Sequence, residues 1–246
     1  MIDSVMGRTL LSKEEALRYS RNILLDGIGA DGQMRLLGAS VLVVGSGALG
    51  SVVAMYLAGS GIGRIGVADF DTVDISNLQR QLSFTMSDVG HPKAEALAGR
   101  IRMMNPDIEV VPHNGFIDRD NVAVLISGYD YIVEGSDNPD TKYMVTDICG
   151  SHRKPYVLGG VAQMRGQVMS CTPGSTTYRE IFPEGAASGG YMPCSVGGVL
   201  GPLPGIIGSV MAAEIIKMVV GTGQPLYDRL FTIDASSMST AVFSLK

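Results

Sequence analysis

Cysteine is scarce in this sequence, charge is thin, and basic residues are outnumbered by acidic ones, though local clusters of cations remain open. Cys149, Cys171 and Cys194 are the only cysteines in 246 residues. That is too few, and odd in number, for a disulfide framework, and it suits a reducing cytoplasm. Charged residues make up 17% and the net charge is −5, which excludes a general nucleic-acid coat with its clustered Lys and Arg. A signal peptide needs an apolar core of about 7–15 residues, and Asp3, Arg8, Lys13, Glu14 and Glu15 leave no room for one. The uncharged stretch Ser195 to Ala213 contains Pro202 and Pro204, and Glu214 and Lys217 follow it at once. Its length and flanks predict a buried core helix rather than a membrane span. Internal repeats and low-complexity linkers are missing too, so one continuous domain over 1–246 is expected.

What is present is apolar surface, 46% of residues, enough for a sizeable core. Its pattern alternates between strand and helix. A helix is expected from Ser12 to about Gln33, with Ser12 as cap and Glu15 completing a capping box. Val41–Gly45 reads as a buried parallel strand, followed by a helix from Ala48 to Ala58. Ile65–Phe70 is a second strand, and a polar loop runs from Asp71 to Gln81. A helix over Pro92–Met104, a strand over Ile108–Pro112 and a short helix over Asn121–Ser127 come next. Tyr131–Glu134 is a strand, and Pro139 to His152 a helix. Four alternations predict a doubly wound, Rossmann-like, mostly parallel sheet. Beyond Pro155 the pattern changes to a β-rich stretch (Tyr156–Thr172), a glycine-rich loop (Pro173–Pro204), an apolar helix (Gly205–Val220) and a closing hairpin (Leu230–Leu245). An antiparallel C-terminal extension is therefore expected. A nucleotide-binding part over about 12–153 then precedes a second part over about 154–246.

Gly45-Ser-Gly-Ala-Leu-Gly50 lies between a strand and a helix, where a Gly-x-Gly-x-x-Gly turn lets phosphate approach backbone N–H groups. Asp69 ends the next strand, where this fold places its ribose-binding acid. These features fit NAD and ATP alike. A triphosphate needs more cation, and Arg80 and Lys93, with Asn77, Gln79 and Gln81 alongside, follow the second strand. Asp137, at the end of a later strand, is suited to holding Mg²⁺ between phosphates. Capping of the helix that opens at Pro139 is an equal alternative for Asp137, and capping alone explains Asn138.

These blocks resemble the ThiF/MoeB/HesA family of ubiquitin-activating-type adenylyltransferases, from about Ser12 onward. The matching segments are Arg18–Arg21, Gly45–Gly50, Asp69–Asp71, Ser76–Gln81, Gly90–Lys93, Asn105-Pro106 and Ser136–Asn138. The resemblance implies a homodimer that uses ATP and Mg²⁺ to adenylate the C-terminal Gly-Gly carboxylate of a small ubiquitin-like sulfur carrier, for thiamine, molybdopterin or related sulfur-transfer biosynthesis. It implies a nucleotide site built from Gly45, Gly47, Ala48, Gly50, Asp69, Asp71, Ser76, Asn77, Leu78, Gln79, Arg80, Gln81, Lys93, Asp137 and Asn138. Within it Asp69 holds ribose, Asn77, Arg80 and Lys93 meet phosphates, and Asp137 takes Mg²⁺. Arg21 is implied to reach the γ-phosphate of the neighbouring subunit. No nucleic acid or membrane partner is expected. His91, His113 and His152 have no nucleophile beside them and are assigned structural or surface roles, His91 lining the loop before Lys93.

The sequence departs from the family in one respect. Many relatives carry two Cys-x-x-Cys pairs for a structural zinc, yet Thr177-Tyr-Arg-Glu180 stands where the first would fall and no second pair follows. Tetrahedral zinc wants four thiolate or imidazole ligands, so no zinc is expected. Ala48 replaces a common glycine. Cys194 matches a cysteine that some relatives link covalently to the carrier, and a small buried residue is its other reading. Cys149 and Cys171 read as packing. Two other functions remain open: an NAD-dependent oxidoreductase, which lacks a convincing proton-transfer residue, and a catalytically silent dimeric binding subunit, which leaves Arg21, Arg80, Lys93 and Asp137 without a purpose.

Overall fold

The computed structural model of the protein describes residues 10–183 and 198–246. The capping box forms as expected: Glu15 N–H donates to Ser12 Oγ at 3.1 Å and Ser12 N–H to the Glu15 carboxylate at 2.8 Å. The helix it opens is shorter than the sequence suggests. α1 (Lys13–Arg18) and α2 (Ser20–Ile23) are followed by a separate α3 (Gly29–Gly38). Gly27 and Gly29 adopt φ of 85° and 60°, left-handed conformations that no α-helix continues through.

Five strands run parallel: β1 (Ser40–Val44), β2 (Arg64–Asp69), β3 (Glu109–Asn114), β4 (Tyr131–Glu134) and β5 (Tyr156–Ala162). Antiparallel β6 (Arg165–Cys171), β7 (Arg229–Asp234) and β8 (Ser239–Ser244) extend them. The result is one eight-stranded sheet in the order β3-β2-β1-β4-β5-β6-β7-β8, the doubly wound sheet with its antiparallel extension. Strand order reverses between β1 and β4, and in open α/β sheets the crevice at such a switch point receives ligands.

Both faces of the sheet are covered. Val41 and Val43 point to one face, against Val53 and Leu57 of α4 (Gly50–Ser60), Leu97 and Ile101 of α5 (Lys93–Met104) and Leu36 of α3. Leu42 and Val44 point to the other, against Val122 and Ile126 of α6 (Val122–Ser127) and Val145 and Cys149 of α7 (Pro139–Ser151). Each fully buried aliphatic side chain here contributes about 1.5–3 kcal/mol. The glycine-rich loop is not loop throughout. A capping box at Thr177 and Glu180 starts α8 (Tyr178–Ile181), and α9 (Pro202–Val220) begins three residues before the expected Gly205. Proline is tolerated in a first turn, where its missing N–H has no partner to lose. α9 is long and apolar enough to cross a membrane by composition alone. Eleven of its residues are buried, among them Ile207, Met211 and Ile215 in the same core as α4 and the sheet.

Candidate functional site

β1 ends in Gly45 at φ 81°, and its N–H donates to Ala68 of β2 at 2.8 Å. A Cβ on Gly45 would lie 2.9 Å from the backbone nitrogen of Ser136, and one on Gly50 would lie 1.7 Å from the Gly45 carbonyl oxygen. The glycine turn therefore folds back on itself and packs backbone to backbone on the turn after β4. Only glycine permits both approaches. α4 then starts at Gly50, but Ser51 N–H already donates to the Gly47 carbonyl at 3.1 Å and Val53 N–H to that of Leu49 at 3.0 Å. The N–H groups left without intrahelical partners at the mouth of the cleft are therefore those of the turn at residues 47–50.

The cleft lies at the carboxyl ends of β1, β2 and β4. Ten of the sequence-expected residues line it: Gly45, Gly47, Ala48, Asp69, Asp71, Arg80, Gln81, Lys93, Asp137 and Asn138. Gly50 supports the turn from behind. Ser76, Asn77, Leu78 and Gln79 are not on its wall. Asn77 Oδ1 accepts from Asp74 N–H at 3.1 Å, Leu78 packs against the core, and the Ser76 carbonyl accepts from Arg80 at 3.0 Å. These four shape the short helical turns that carry Arg80 and Gln81. Arg21 is exposed on α2, outside its own chain's cleft, and has no partner among the described residues. Cys194 falls outside the described residues.

Asp69 has a duty the sequence did not suggest. One carboxylate oxygen accepts from Ser46 N–H at 2.7 Å and Ser46 Oγ at 2.9 Å, and the other from Asp71 N–H at 2.9 Å. It fastens the glycine turn to β2, with about one of its four lone-pair positions left. Lys93, 6% exposed, places its ammonium 2.9 Å from Asp71. The sequence left Asp137 open between holding Mg²⁺ and capping α7, and gave Asn138 the cap. Asn138 Oδ1 accepts from Asp140 N–H at 2.8 Å and Thr141 N–H at 3.2 Å, so Asn138 caps α7. Asp137 is exposed to the cleft and has no hydrogen-bond partner among the described residues. Asp69, Asp71 and Asp137 outnumber Arg80 and Lys93 by one on this wall. One chain alone thus offers a slightly negative cleft, not the cationic one that a triphosphate seemed to demand.

Two features lay beyond sequence reasoning. Phe70 and Phe116, each 62% exposed, meet edge to face at 5.0 Å on the cleft rim; only the pairing of β2 with β3 brings them together. Beneath Asp137, fully buried Glu134 pairs with Lys142. A charge closing an apolar strand, at Tyr131-Ile-Val-Glu134, was the available signal.

The two described cysteines are buried. Burial pushes the Cys171 thiol up to about 12 and raises that of Cys149, so neither offers a thiolate nucleophile. Burial, then Arg64, lowers the His113 pKa, and its ring hydrogen-bonds the Tyr129 hydroxyl at 2.8 Å. Among the described residues, no three His, Cys, Asp or Glu side chains gather as a metal site.

The model of the ThiF family matches residues 19–246. The chain is 41% identical over 222 residues to the SAMP-activating enzyme E1 of Haloferax volcanii, covering 90% of this chain and 82% of that one. It is 39% identical over 234 residues to the sulfur carrier protein adenylyltransferase of Thermus thermophilus, covering 93% and 86%. It is 40% identical over 241 residues to the probable adenylyltransferase/sulfurtransferase MoeZ of Mycobacterium tuberculosis, covering 96% of this chain but only 62% of that longer protein. Among solved structures, E. coli MccB with MccA-N7isoASN superposes with a TM-score of 0.83 at 23% identity, over 93% of this chain and 71% of that one. That likeness is one of fold. MccB crystallised with ATP gives 0.79 at 25% identity, over 93% and 70%.

Proposed function

The chain belongs to the ThiF family, and from that premise we propose that it adenylates the C-terminal Gly-Gly carboxylate of a small ubiquitin-like sulfur carrier, using ATP. It is an adenylyltransferase, as are the relatives whose names state their reaction. Two of the relatives that it spans by four-fifths or more are named for a carrier protein, a SAMP in one and a sulfur carrier in the other.

The residues fit a nucleoside triphosphate. Gly45 and Gly50 let the turn pack tightly on itself and on the turn after β4, and Gly47 lies on the cleft wall, where a Cβ would meet only Gln81 Nε2 at 3.6 Å. Gln81, 4% exposed on the same wall, has an amide oxygen with no partner among the described residues. The reaction asks little proton chemistry of the protein. A tail carboxylate oxygen attacks the α-phosphorus, the bond to the bridging oxygen breaks, and pyrophosphate leaves with its electron pair. Two anions must be brought together, so alignment and charge neutralisation dominate. N–H groups of the turn at residues 47–50 cradle phosphate, Arg80 chelates phosphate oxygens, and Lys93, oriented by Asp71, supplies a point charge. Asp69 keeps the turn in shape and offers its remaining acceptor to ribose.

Because this wall is negative by one charge while ATP carries about four, two further cations belong to the scheme. Asp137 would hold Mg²⁺, which would supply charge neutralisation for the phosphates. Arg21 comes from the second protomer of a homodimer. Leu17, Leu24 and Leu25, close to it in sequence, are exposed (79%, 71% and 55%), an apolar setting for a subunit contact. The observation that carries the proposal is the Asp137 carboxylate, without a hydrogen-bond partner among the described residues, on the same cleft wall as the glycine turn, Arg80 and Lys93. Radiolabelled pyrophosphate exchange into ATP, with Mg²⁺ and small proteins ending in Gly-Gly, tests it. Exchange that depends on a carrier is expected. Absence of exchange with every such carrier would overturn it.

A further inference from the structure

The carboxylates of the cleft wall and Arg80 are reachable from solvent, yet the charged pair just beneath is sealed from water. Glu134, the last residue of β4, is 0% exposed and Lys142 on α7 is 3% exposed. Apolar residues of similar volume would avoid the desolvation that such a pair suffers, so its retention calls for a geometric reason. One Glu134 oxygen accepts from Ser136 N–H at 3.0 Å and also from the Ser136 hydroxyl. The other pairs with the Lys142 ammonium, which donates in addition to the Gly159 carbonyl of β5 at 2.9 Å. Gly135 N–H donates to Val44 at 2.9 Å, and Asn138 is fixed by its cap on α7. The turn is therefore held at residues 135, 136 and 138. Asp137 is the residue left between, its side chain without a partner among the described residues.

We propose that Glu134 and Lys142 are positioning residues that clamp the Ser136–Asn138 turn from below and so set the Asp137 carboxylate in the cleft. The clamp rests on the adenylation reading for its purpose, but not for its existence. Mere tethering of α7 to the sheet would need Lys142 and Gly159. It would not need both donors of Ser136 gathered on the same carboxylate. Groups beneath a metal-binding carboxylate fix its direction, and their loss typically reduces affinity or activity about 10–100-fold.

The test compares wild type with Glu134→Leu/Lys142→Met, which removes both charges together and leaves none buried alone. Ser136→Ala leaves the ion pair intact and serves if the double variant does not fold. Amide hydrogen exchange at Ser136 is expected to accelerate about tenfold or more in the double variant while β1 amides keep their protection. In pyrophosphate exchange kcat of the double variant is expected to fall about 10–100-fold with the ATP KM nearly unchanged, whereas the single variant Lys142→Arg, which keeps the ion pair with Glu134, is expected to retain most of the wild-type kcat. Ser136→Ala is expected to lose about tenfold in kcat. Added to Asp137→Ala, the double substitution is expected to cost nothing more, because the clamp acts only through Asp137. Unchanged Ser136 exchange, or an equal loss with and without Asp137, overturns the clamp. If wild type shows no exchange with any carrier, the adenylation reading falls, and the Ser136 amide still decides the clamp.

Discussion

The two ends of the parallel sheet carry similar charged residues and use them in opposite ways. At the end away from the cleft, Asp130 accepts from Ser40 N–H at 2.9 Å and its hydroxyl at 2.6 Å. Lys154 donates to the carbonyls of Ser127 at 3.2 Å and Tyr129 at 2.5 Å, and Arg35 to that of Val220 at 2.6 Å. Those carbonyls close α6, the turn after it and α9, where backbone acceptors have no intrahelical donor. At the cleft end Asp137 is bonded to nothing described, and Arg80 only to the carbonyl of Ser76 in its own loop. Under the proposed adenylation, what would separate a functional charge from a structural one is the hydrogen-bonding capacity it retains in the folded chain. That criterion is local, and it can be broken one residue at a time.

The sharpest break is Asp137→Ala. If its carboxylate is held in reserve for chemistry, carrier-dependent pyrophosphate exchange is expected to fall about 10³–10⁴-fold, the scale of several kcal/mol of transition-state stabilisation. Thermal unfolding should stay where it is, since the cap on α7 belongs to Asn138. Parallel loss of cooperative unfolding would place Asp137 among the structural charges instead. Arg21→Ala comes next, with an expected loss of about 10²-fold, typical of one donor aimed at developing charge. Because Arg21 lies outside its own chain's cleft, an equal mixture of Arg21→Ala and Asp137→Ala is expected to regain up to about a quarter of wild-type exchange, one intact site in each mixed two-fold dimer. A mixture as inactive as its parts would move Arg21 out of the reaction.

At the opposite end the expectation reverses. Lys154→Met removes the donor that closes the Ser127 and Tyr129 carbonyls, so about 1–2 kcal/mol of stability should be lost. The readout is the urea unfolding midpoint, with pyrophosphate exchange per folded molecule unaltered. A variant that unfolds normally but turns over slowly would erase the distinction between the two ends.

How much of this could be read from sequence depended on whether a residue's role was local. The strand–glycine–helix unit at Val41–Gly50 was legible because a buried parallel strand and a helix start each leave short-range marks. The break after α2 was not, since helices tolerate single glycines and only the backbone reveals left-handed Gly27 and Gly29. Asp137 and Asn138 are neighbours, either able to cap a helix, and sequence left Asp137 open between cap and Mg²⁺; the hydrogen bonds give the cap to Asn138. Asp69 was placed correctly in the cleft, but its bonds to Ser46 cross from β2 to the glycine turn and no spacing encodes them. Glu134 and Lys142 went unnoticed for a related reason. A glutamate at a strand end and a lysine on a helix both read as solvated until the fold buries them against each other. The loop region yielded least, because α8 is a four-residue helix signalled only by its capping box.

The smallest expected effect concerns Asp228, again at the end away from the cleft, where β7 begins. Its carboxyl is held down to about 2, first by the Thr176 N–H, then by Lys246 and the Thr176 hydroxyl. The corresponding distances are 2.7 Å to Thr176 N, 2.9 Å to its Oγ1 and 2.9 Å to Lys246 Nζ. In the unfolded chain the same carboxyl titrates near the ordinary aspartate value of about 3.9. Between those values the unfolded chain binds the proton and the folded chain does not. The stability Asp228 contributes is therefore fully present above about pH 4 and lost as pH falls toward about 2. The group is open to solvent, so the loss should be slight and weaken in salt. Thermal unfolding of wild type and Asp228→Asn between pH 5 and 2 isolates it. The gap in Tm between them should narrow as pH drops through this window while pyrophosphate exchange at neutral pH stays equal. A gap that holds constant down to about pH 2 would mean that the Thr176 bonds do not depend on the charge, and that this end of the sheet is held by packing rather than by its committed ions.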